Sequence, residues 1–279
     1  MPGGPIGITT FGNTAFVAQL QLGSIARLDL TTDALTTSIP VGSFPVIIAF
    51  NPTGSTAYVT NLGSNNVSIV DVASNTQTGL IPVTGAPFAI TLNPGDGGTM
   101  LVTTNADQLF KIDLATNTVV GSLPLPATSH HILAHPNDTL VYVATRDAGS
   151  VLEVNWRTMS VVRTFSLGGR PQGMAISQDR SELYVANELS NVLHFVDLSS
   201  GASASTALAS GGEGLTLSAD GATIWVGLVF SGQVQSVDRV SRAVLQTFTV
   251  GGTPRELATD FVRGRVLVAN EGGWVDIMQ

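Results

Sequence analysis

One short pattern recurs seven times along this chain. The stretch AYVTN at residues 57–61 returns as AFVAQ at 15–19, MLVTT at 100–104, VYVAT at 141–145, LYVAN at 183–187, IWVGL at 224–228 and VLVAN at 266–270. The second residues of successive copies are 42, 43, 41, 42, 41 and 42 positions apart. A repeat of this period means that one supersecondary unit is used over and over, so the unit decides the architecture.

Each unit has four short apolar segments separated by Gly, Asn, Asp and Pro turns, as in PVIIAF, STAYVTN, NVSIVDV and QTGLIPV. Four strands in a period near ~42 residues are typical of a propeller blade. We therefore predict an all-β fold, a single seven-bladed β-propeller over residues 1–279. The seventh unit supplies only ELATDF, RVLVAN and WVDIM. The last blade is predicted to have three strands, without closure by an N-terminal strand, and an exposed edge at Trp274.

Composition excludes several partners. Twelve Lys and Arg against twenty Asp and Glu give a net charge of −8, and no basic cluster suggests a nucleic-acid partner. Apolar runs such as Pro45 to Phe50 are far shorter than the ~20 residues of a membrane helix. We expect a soluble chain, a monomer or an edge-paired homodimer. Its localisation stays open, since an exported protein without its signal peptide would look the same.

Aligning the repeats brings chemically distinct residues to one mouth of the central channel. The position after the Pro that starts each innermost strand is taken by Ile6, Val46, Phe88, His130, Gln172, Glu213 and Arg255. The loops around them add Leu20, Leu62, Arg146, Arg170, Glu188, Glu256 and Glu271. Blades 1 to 3 thus form an apolar wall and blades 4 to 7 a polar one. A concave, largely apolar site with a few converging polar groups is typical of small-molecule sites.

The stretch SHHILAHP at 129–136 holds three of the four histidines. His135 lies at the far end of the strand, ~16 Å from His130 at ~3.3 Å per residue, so the two cannot share a metal ion. Strand alternation predicts that only one of His130 and His131 faces the channel squarely, and His130 is the better candidate. His131 aligns with Gly7, Ala89, Gly173 and Gly214, and we expect it to pack between blades.

The repeat resembles the YVTN family of seven-bladed propellers in its AYVTN cores, its N-P-T-G-S turn and its closing V-D-V. This family includes binding, surface and enzymatic members, so the resemblance implies a fold more than a function. The segment SHHILAHPNDTLVYV is also similar, over about fifteen residues, to the P-H-x-V-x-x-x-P segment of lactonase-type propellers, with Ser129 in place of Pro.

The leading hypothesis is a small-molecule hydrolase or lyase acting on a lactone, ester or phosphotriester. His130 would be general base or metal ligand, with Glu213 in acid/base or ligand roles and Arg255 holding a developing anion. The ligands of one divalent ion, Ca²⁺, Mg²⁺, Mn²⁺ or Zn²⁺, would come from His130, His131, Glu188, Glu213, Glu256 and Glu271. Substrate would contact Phe88, Val46, Ile6, Gln172, Arg146 and Arg170. No organic cofactor is expected. The alternative is a non-catalytic ligand- or protein-binding scaffold using the same mouth.

Overall fold

The computed structural model describes residues 2–93, 97–136 and 139–279. These residues form 27 strands and one turn of 3-10 helix, Arg146–Ala148. The strands make seven antiparallel sheets, in each of which neighbours follow chain order. The innermost strand of every sheet packs against the innermost strands of the sheets on either side, and the first also packs against the last. The predicted all-β, seven-bladed propeller is confirmed.

The blades follow one another along the chain, and each begins at its innermost strand. Blade 1 contains β1 (Pro5–Phe11), β2 (Thr14–Gln19), β3 (Ser24–Asp29) and β4 (Ala34–Pro40). Blade 2 contains β5 (Pro45–Phe50), β6 (Thr56–Asn61), β7 (Asn66–Asp71) and β8 (Thr76–Pro82). Blade 3 contains β9 (Pro87–Leu92), β10 (Thr99–Thr104), β11 (Gln108–Asp113) and β12 (Thr118–Pro124). Blade 4 contains β13 (Ser129–Ala134), β14 (Leu140–Thr145), β15 (Ser150–Asn155) and β16 (Ser160–Ser166).

The remaining three blades repeat the arrangement. Blade 5 contains β17 (Pro171–Ile176), β18 (Glu182–Asn187), β19 (Val192–Asp197) and β20 (Ser203–Ala207). Blade 6 contains β21 (Gly212–Leu217), β22 (Thr223–Leu228), β23 (Gln233–Asp238) and β24 (Val244–Thr249). Blade 7 contains β25 (Pro254–Asp260), β26 (Arg265–Asn270) and β27 (Trp274–Met278), and the described residues supply no fourth strand to it. The three-stranded last blade is also as predicted.

The position of a strand in its blade explains its sequence. Second strands such as β2 and β6 lie between neighbouring sheets and are buried almost end to end, which is why their cores are continuous apolar runs. Outer strands are mostly exposed and turn one apolar residue inward, as Ile39 does in β4 and Ile81 in β8. The hydrophobic core is accordingly divided into clusters that join adjacent blades, such as Tyr184 and Leu193 of blade 5 with Ile224 of blade 6.

The ring closes through side chains of blades 1 and 7, as the sequence predicts. Ile8 and Val17 pack with Leu267 in one buried cluster. Arg265 reaches from β26 into blade 1, where its Nη1 lies 2.8 Å from Asp33 Oδ2 and its Nη2 donates to the Leu30 carbonyl at 2.9 Å. Closure therefore combines apolar packing with a largely buried guanidinium.

The outer edge of blade 7 is β27, which begins at Trp274 and pairs only with β26 among the described residues. The Trp274 indole Nε1 donates to the Asp276 carboxylate at 3.0 Å and the ring is 37% exposed. Across the described part of the chain, no helix is long and apolar enough to cross a membrane.

Candidate functional site at one mouth of the channel

A β-bulge at the start of each innermost strand places the candidate side chains. In all seven blades the pairing register between first and second strands shifts just after the first residue of the inner strand. In β13, Ser129 pairs with Thr145 and His131 pairs with Ala144, so His130 is left out of the ladder. A bulge breaks strict strand alternation. Two consecutive side chains can therefore reach the channel.

This bulge corrects the expectation for the paired histidines. His130 and His131 both line a cavity inside the channel, so His131 does not pack between blades. At the equivalent position of three other blades a side chain would be blocked. A Cβ on Gly7, Gly173 or Gly214 would collide with the backbone carbonyl of the residue ahead of it in the next blade, namely Val46, Glu213 or Arg255. In those three blades the backbone of the next blade leaves no room for a side chain, whereas Ile47, His131 and Glu256 occupy the equivalent position in blades 2, 4 and 7.

Two cavities lie one above the other along the channel. The outer one, here called the mouth funnel, encloses about 310 Å³. It is lined by Ile6, Leu20, Val46, Leu62, Phe88, His130, Arg146, Gln172, Glu213, Arg255 and Glu271. The second, here called the inner chamber, encloses about 130 Å³. It is lined by Ile47, Ala89, Ile90, His130, His131, Ile132, Gly173, Met174, Leu215 and Glu256.

All seven residues aligned after the inner-strand Pro position line the mouth funnel, in the apolar and polar halves that the sequence indicates. Four other candidates lie elsewhere. His131 and Glu256 face the inner chamber. Glu188 is buried behind the wall, and Arg170 pairs at 2.8 Å with the half-exposed Asp147. The inner chamber was not predicted. The glycines at 7, 173 and 214 were the available sign of it, because glycine inside a strand often marks a bulge or a close backbone approach.

His130 stands where the two walls and the two cavities meet. Its imidazole stacks on the Phe88 ring with centroids 3.9 Å apart and planes 6° from parallel. Burial, and then the nearby Arg146 charge, lower the pKa of His130 to about 4. The imidazole is therefore neutral near pH 7 and is a weaker base than an ordinary histidine.

The first ion pair of the polar wall joins blades 4 and 5. Arg146 donates to both oxygens of Glu188, with Nη2 at 2.8 Å from Oε2 and 3.1 Å from Oε1. The Gln172 amide nitrogen donates to the same carboxylate at 2.5 Å. Burial works to raise the pKa of Glu188, but these hydrogen bonds outweigh it and the pKa lies below its usual range. Glu188 thus fixes Arg146 and Gln172 in place from behind.

The second set joins blades 6 and 7. Arg255 lies between two carboxylates, with Nη1 at 2.6 Å from Glu213 Oε2 and Nη2 at 2.7 Å from Glu271 Oε2. Burial raises the pKa of Glu213 above its usual range, against the opposing effect of Arg255. The guanidinium is 29% exposed and faces the funnel with its orientation set by both acids.

Below them, His131 and Glu256 face each other across the inner chamber. His131 Nδ1 lies 3.4 Å from Glu256 Oε1, and the two side chains are 11% and 19% exposed. Burial, followed by the His130 charge, lowers the pKa of His131 to about 3. Burial, followed by the Glu213 charge, raises the pKa of Glu256 to about 8. At neutral pH both groups are uncharged.

The donor set does not converge as a metal centre would require. Among the described residues, no group of three or more His, Asp or Glu side chains could hold a metal ion. Glu188, Glu213 and Glu271 are each engaged by a guanidinium, which leaves His131 and Glu256 as the one imidazole–carboxyl contact at this mouth. The divalent ion of the sequence analysis therefore stays a prediction without a ligand set, and no chemistry is derived from it.

The other two histidines lie outside the mouth. His135 is buried after the end of β13 and packs edge-on against Tyr142, with centroids 6.1 Å apart. His194 is buried in β19, with Nε2 at 3.4 Å from Asn187 Nδ2. One further acceptor at the mouth is unsatisfied among the described residues. The buried Gln172 Oε1 has no hydrogen-bond partner.

Comparison with known proteins supports the architecture. A scan of protein-family models and a search of curated proteins find no match to this chain. Among solved structures, the chain is similar to hydrazine synthase of Kuenenia stuttgartiensis, with a TM-score of 0.91 and 17% identity. The match covers 100% of this chain and 96% of that one. The fold is shared. At this identity the likeness carries no activity to the present chain, and membership of the YVTN family stays a prediction.

Proposed function

We propose that the mouth funnel is a binding site for a small molecule with an apolar body and a polar head. The observation that carries the proposal is the two-walled lining. Ile6, Val46 and Phe88 face His130 and Arg255 across one cavity. A merely solvated rim gives no reason to keep one half apolar, whereas an amphiphilic ligand needs both halves.

The size of the cavity limits the ligand. About 310 Å³ lies at the lower end of the ~300–1,000 Å³ that is usual for small-molecule pockets. That volume suits a compact molecule rather than a folded partner or a polymer. Phe88 supplies the largest apolar surface of the lining and is held flat by its stack on His130. It is therefore the residue whose loss should weaken binding most on the apolar side.

The polar wall is organised before any ligand arrives. Arg146 and Arg255 are each fixed by buried or half-buried carboxylates, so a ligand would not have to order them. Preorganisation of this kind lowers the entropic cost of binding. The fixed charges largely compensate one another, which favours a head group that hydrogen-bonds over one that needs a strong single-sign field.

Turnover as a hydrolase or lyase, with lactones, esters or phosphotriesters as substrates, is the second candidate function. One observation favours it. His130, His131 and Glu256, three groups with strongly perturbed pKa values, surround one concavity, and such groups cluster at catalytic sites. Against it, His130 is a weak base at a pKa of about 4. Binding is therefore the better supported function.

The test is calorimetric titration of the whole protein with a panel of amphiphilic molecules, run beside steady-state assays on lactones, aryl esters and phosphotriesters. Phe88→Ala should weaken binding by ~1.5–3 kcal/mol, about 10- to 150-fold in Kd. Phe261→Ala is the matched control, because Phe261 is 70% exposed and follows the far end of β25. Equal effects of the two substitutions, or no binding to any panel member, would contradict the proposal.

A further inference from the structure

Glu256 differs from the other carboxyl groups at this mouth. Glu188, Glu213 and Glu271 each lie within 2.8 Å of a guanidinium nitrogen. Among the described residues, Glu256 forms no ion pair with an arginine, and its Oε1 lies 3.4 Å from His131 Nδ1. Its side chain is 19% exposed. A carboxyl that is largely removed from water and has no donor is costly, so such groups in native proteins usually face a ligand or an ordered water.

The space beside Glu256 is large enough for such a partner. The inner chamber encloses about 130 Å³, and its other walls are mainly Ile47, Ile90, Ile132, Met174 and Leu215. His130 lines both the chamber and the mouth funnel, so the two cavities are adjacent. A molecule lying in the funnel could extend its head past this imidazole to the carboxyl.

We infer that the inner chamber receives a primary ammonium group, the cationic head of the molecule whose apolar body lies in the mouth funnel. This inference rests on the proposed function and names its ligand class as a primary alkylammonium. Three N–H donors on a compact head match one carboxyl and one imidazole. A quaternary ammonium lacks the donors, and a bare metal ion would lack ligands.

The surrounding charges favour a cation over an anion. Glu256 is influenced by Glu213 on β21 and by Arg255 on its own strand, and faces His131 on β13 with His130 beside it. Arg255 is already shared by Glu213 and Glu271, so it is not available to an incoming anion. Both imidazoles are neutral near pH 7. An anionic head would therefore meet a carboxyl with no free cation beside it.

The probe stays charged through the neutral range, because an alkylammonium has a pKa of ~10.4 like that of lysine. Preference for the ammonium over an uncharged head on the same alkyl chain is therefore the expected signature of the site.

The experiment is calorimetry of the whole protein at pH 8 with n-hexylammonium, 1-hexanol, hexanoate and hexyltrimethylammonium. We expect n-hexylammonium to bind at least tenfold more tightly than the other three. Glu256→Gln should abolish this preference but still bind 1-hexanol. Glu182 starts β18 at the end away from this mouth and pairs with Arg242 of blade 6, so Glu182→Gln should leave the preference unchanged.

The outcomes separate this inference from the proposed function. Equal binding of all four probes, or a preference for hexanoate, overturns the ammonium site and leaves the funnel as a binding site. Binding of none of them contradicts both. The probe series on the unmodified protein tests the inference even if Glu256→Gln does not fold, since equal affinity for n-hexylammonium and 1-hexanol would overturn it.

Discussion

Replacing Arg265 by methionine tests how the ring closes. Arg265 is 8% exposed and joins blade 7 to blade 1. Its Nε and Nη2 donate to Asp260 Oδ2 at 3.3 and 3.1 Å, and Nη1 and Nη2 donate to Asp33 at 2.8 and 2.9 Å. Methionine keeps much of the length of the side chain and removes all of these donors.

The expected loss of stability depends on how buried the carboxylates are that lose their guanidinium partner. Asp260 is fully buried, and breaking a buried pair by removing one partner typically costs ~3–5 kcal/mol. Asp260 keeps Arg263 Nη1 at 3.3 Å and two backbone N–H donors, so the loss should lie near the lower end, about 3 kcal/mol. Loss of the ion pair with Asp33 adds little to this cost, because the Asp33 side chain is 41% exposed. At ~2–4 °C per kcal/mol the melting temperature should fall by about 6–12 °C.

The assay is equilibrium unfolding in urea, followed by tryptophan fluorescence, beside a thermal melt. Asp33→Asn is the matched control, since it removes only the exposed ion pair with Arg265 and should lower stability by less than ~1 kcal/mol. Amide hydrogen exchange should also become faster in β1 and β25 of the methionine variant, where the blades meet. If Arg265→Met costs no more than Asp33→Asn, the buried guanidinium does not hold the ring closed and apolar packing alone does so.

Three further predictions concern the mouth and the edge. His130→Ala should weaken ligand binding at least tenfold while His135→Ala leaves it unchanged, as measured by titration, and equal losses at unchanged melting temperature would show that the far end of β13 also contributes. The pKa values of His130 and His131 in the folded protein lie below 6.5, so the protein loses their contribution to stability as pH falls below 6.5. The pKa of Glu256 in the folded protein lies above 4.5, so the protein loses the contribution of Glu256 as pH rises toward 8. The melting temperature should therefore fall between pH 6.5 and 8, and Glu256→Gln should remove that fall; an unchanged slope would mean that Glu256 is not the group responsible. Trp274 lies against Gly252 and donates to Asp276, and we expect this large side chain at the start of the edge strand to hinder pairing with a second copy. Light scattering should therefore find a monomer, and Trp274→Ala should associate as concentration rises. A wild-type dimer would contradict this.

The architecture could be predicted from the sequence because each repeat corresponds to one blade. The spacing of 41 to 43 residues between second strands predicts the number of blades, and the segments ELATDF, RVLVAN and WVDIM of the seventh unit match the three strands of the last blade. The same alignment carried Ile6, Phe88 and Arg255 to one mouth, since equivalent positions of equivalent blades must lie on a ring.

What the sequence did not supply depends on local geometry and on contacts between blades. The rule of strand alternation predicted that His131 would turn away from the channel, and the bulge in β13 overturned it. Two of the ion pairs join residues one repeat apart, Arg146 with Glu188 and Arg255 with Glu213. Four carboxyls and three arginines at one mouth allow many pairings, and only the positions of the backbone select among them. That selection pairs Arg255 with Glu213 and Glu271 and leaves Glu256 without an ion pair to an arginine, the feature on which the ammonium site depends.

A crystal structure of the protein soaked with n-hexylammonium, with 1-hexanol as a second soak, tests the central claim most directly. The account predicts density for both molecules in the mouth funnel, with the hexyl chain in van der Waals contact with Phe88, within ~4.5 Å. The amine alone should reach the inner chamber. Density at the opposite mouth or between blades, with the funnel holding only water at saturating ligand, would contradict the claim that this two-walled cavity is the binding site.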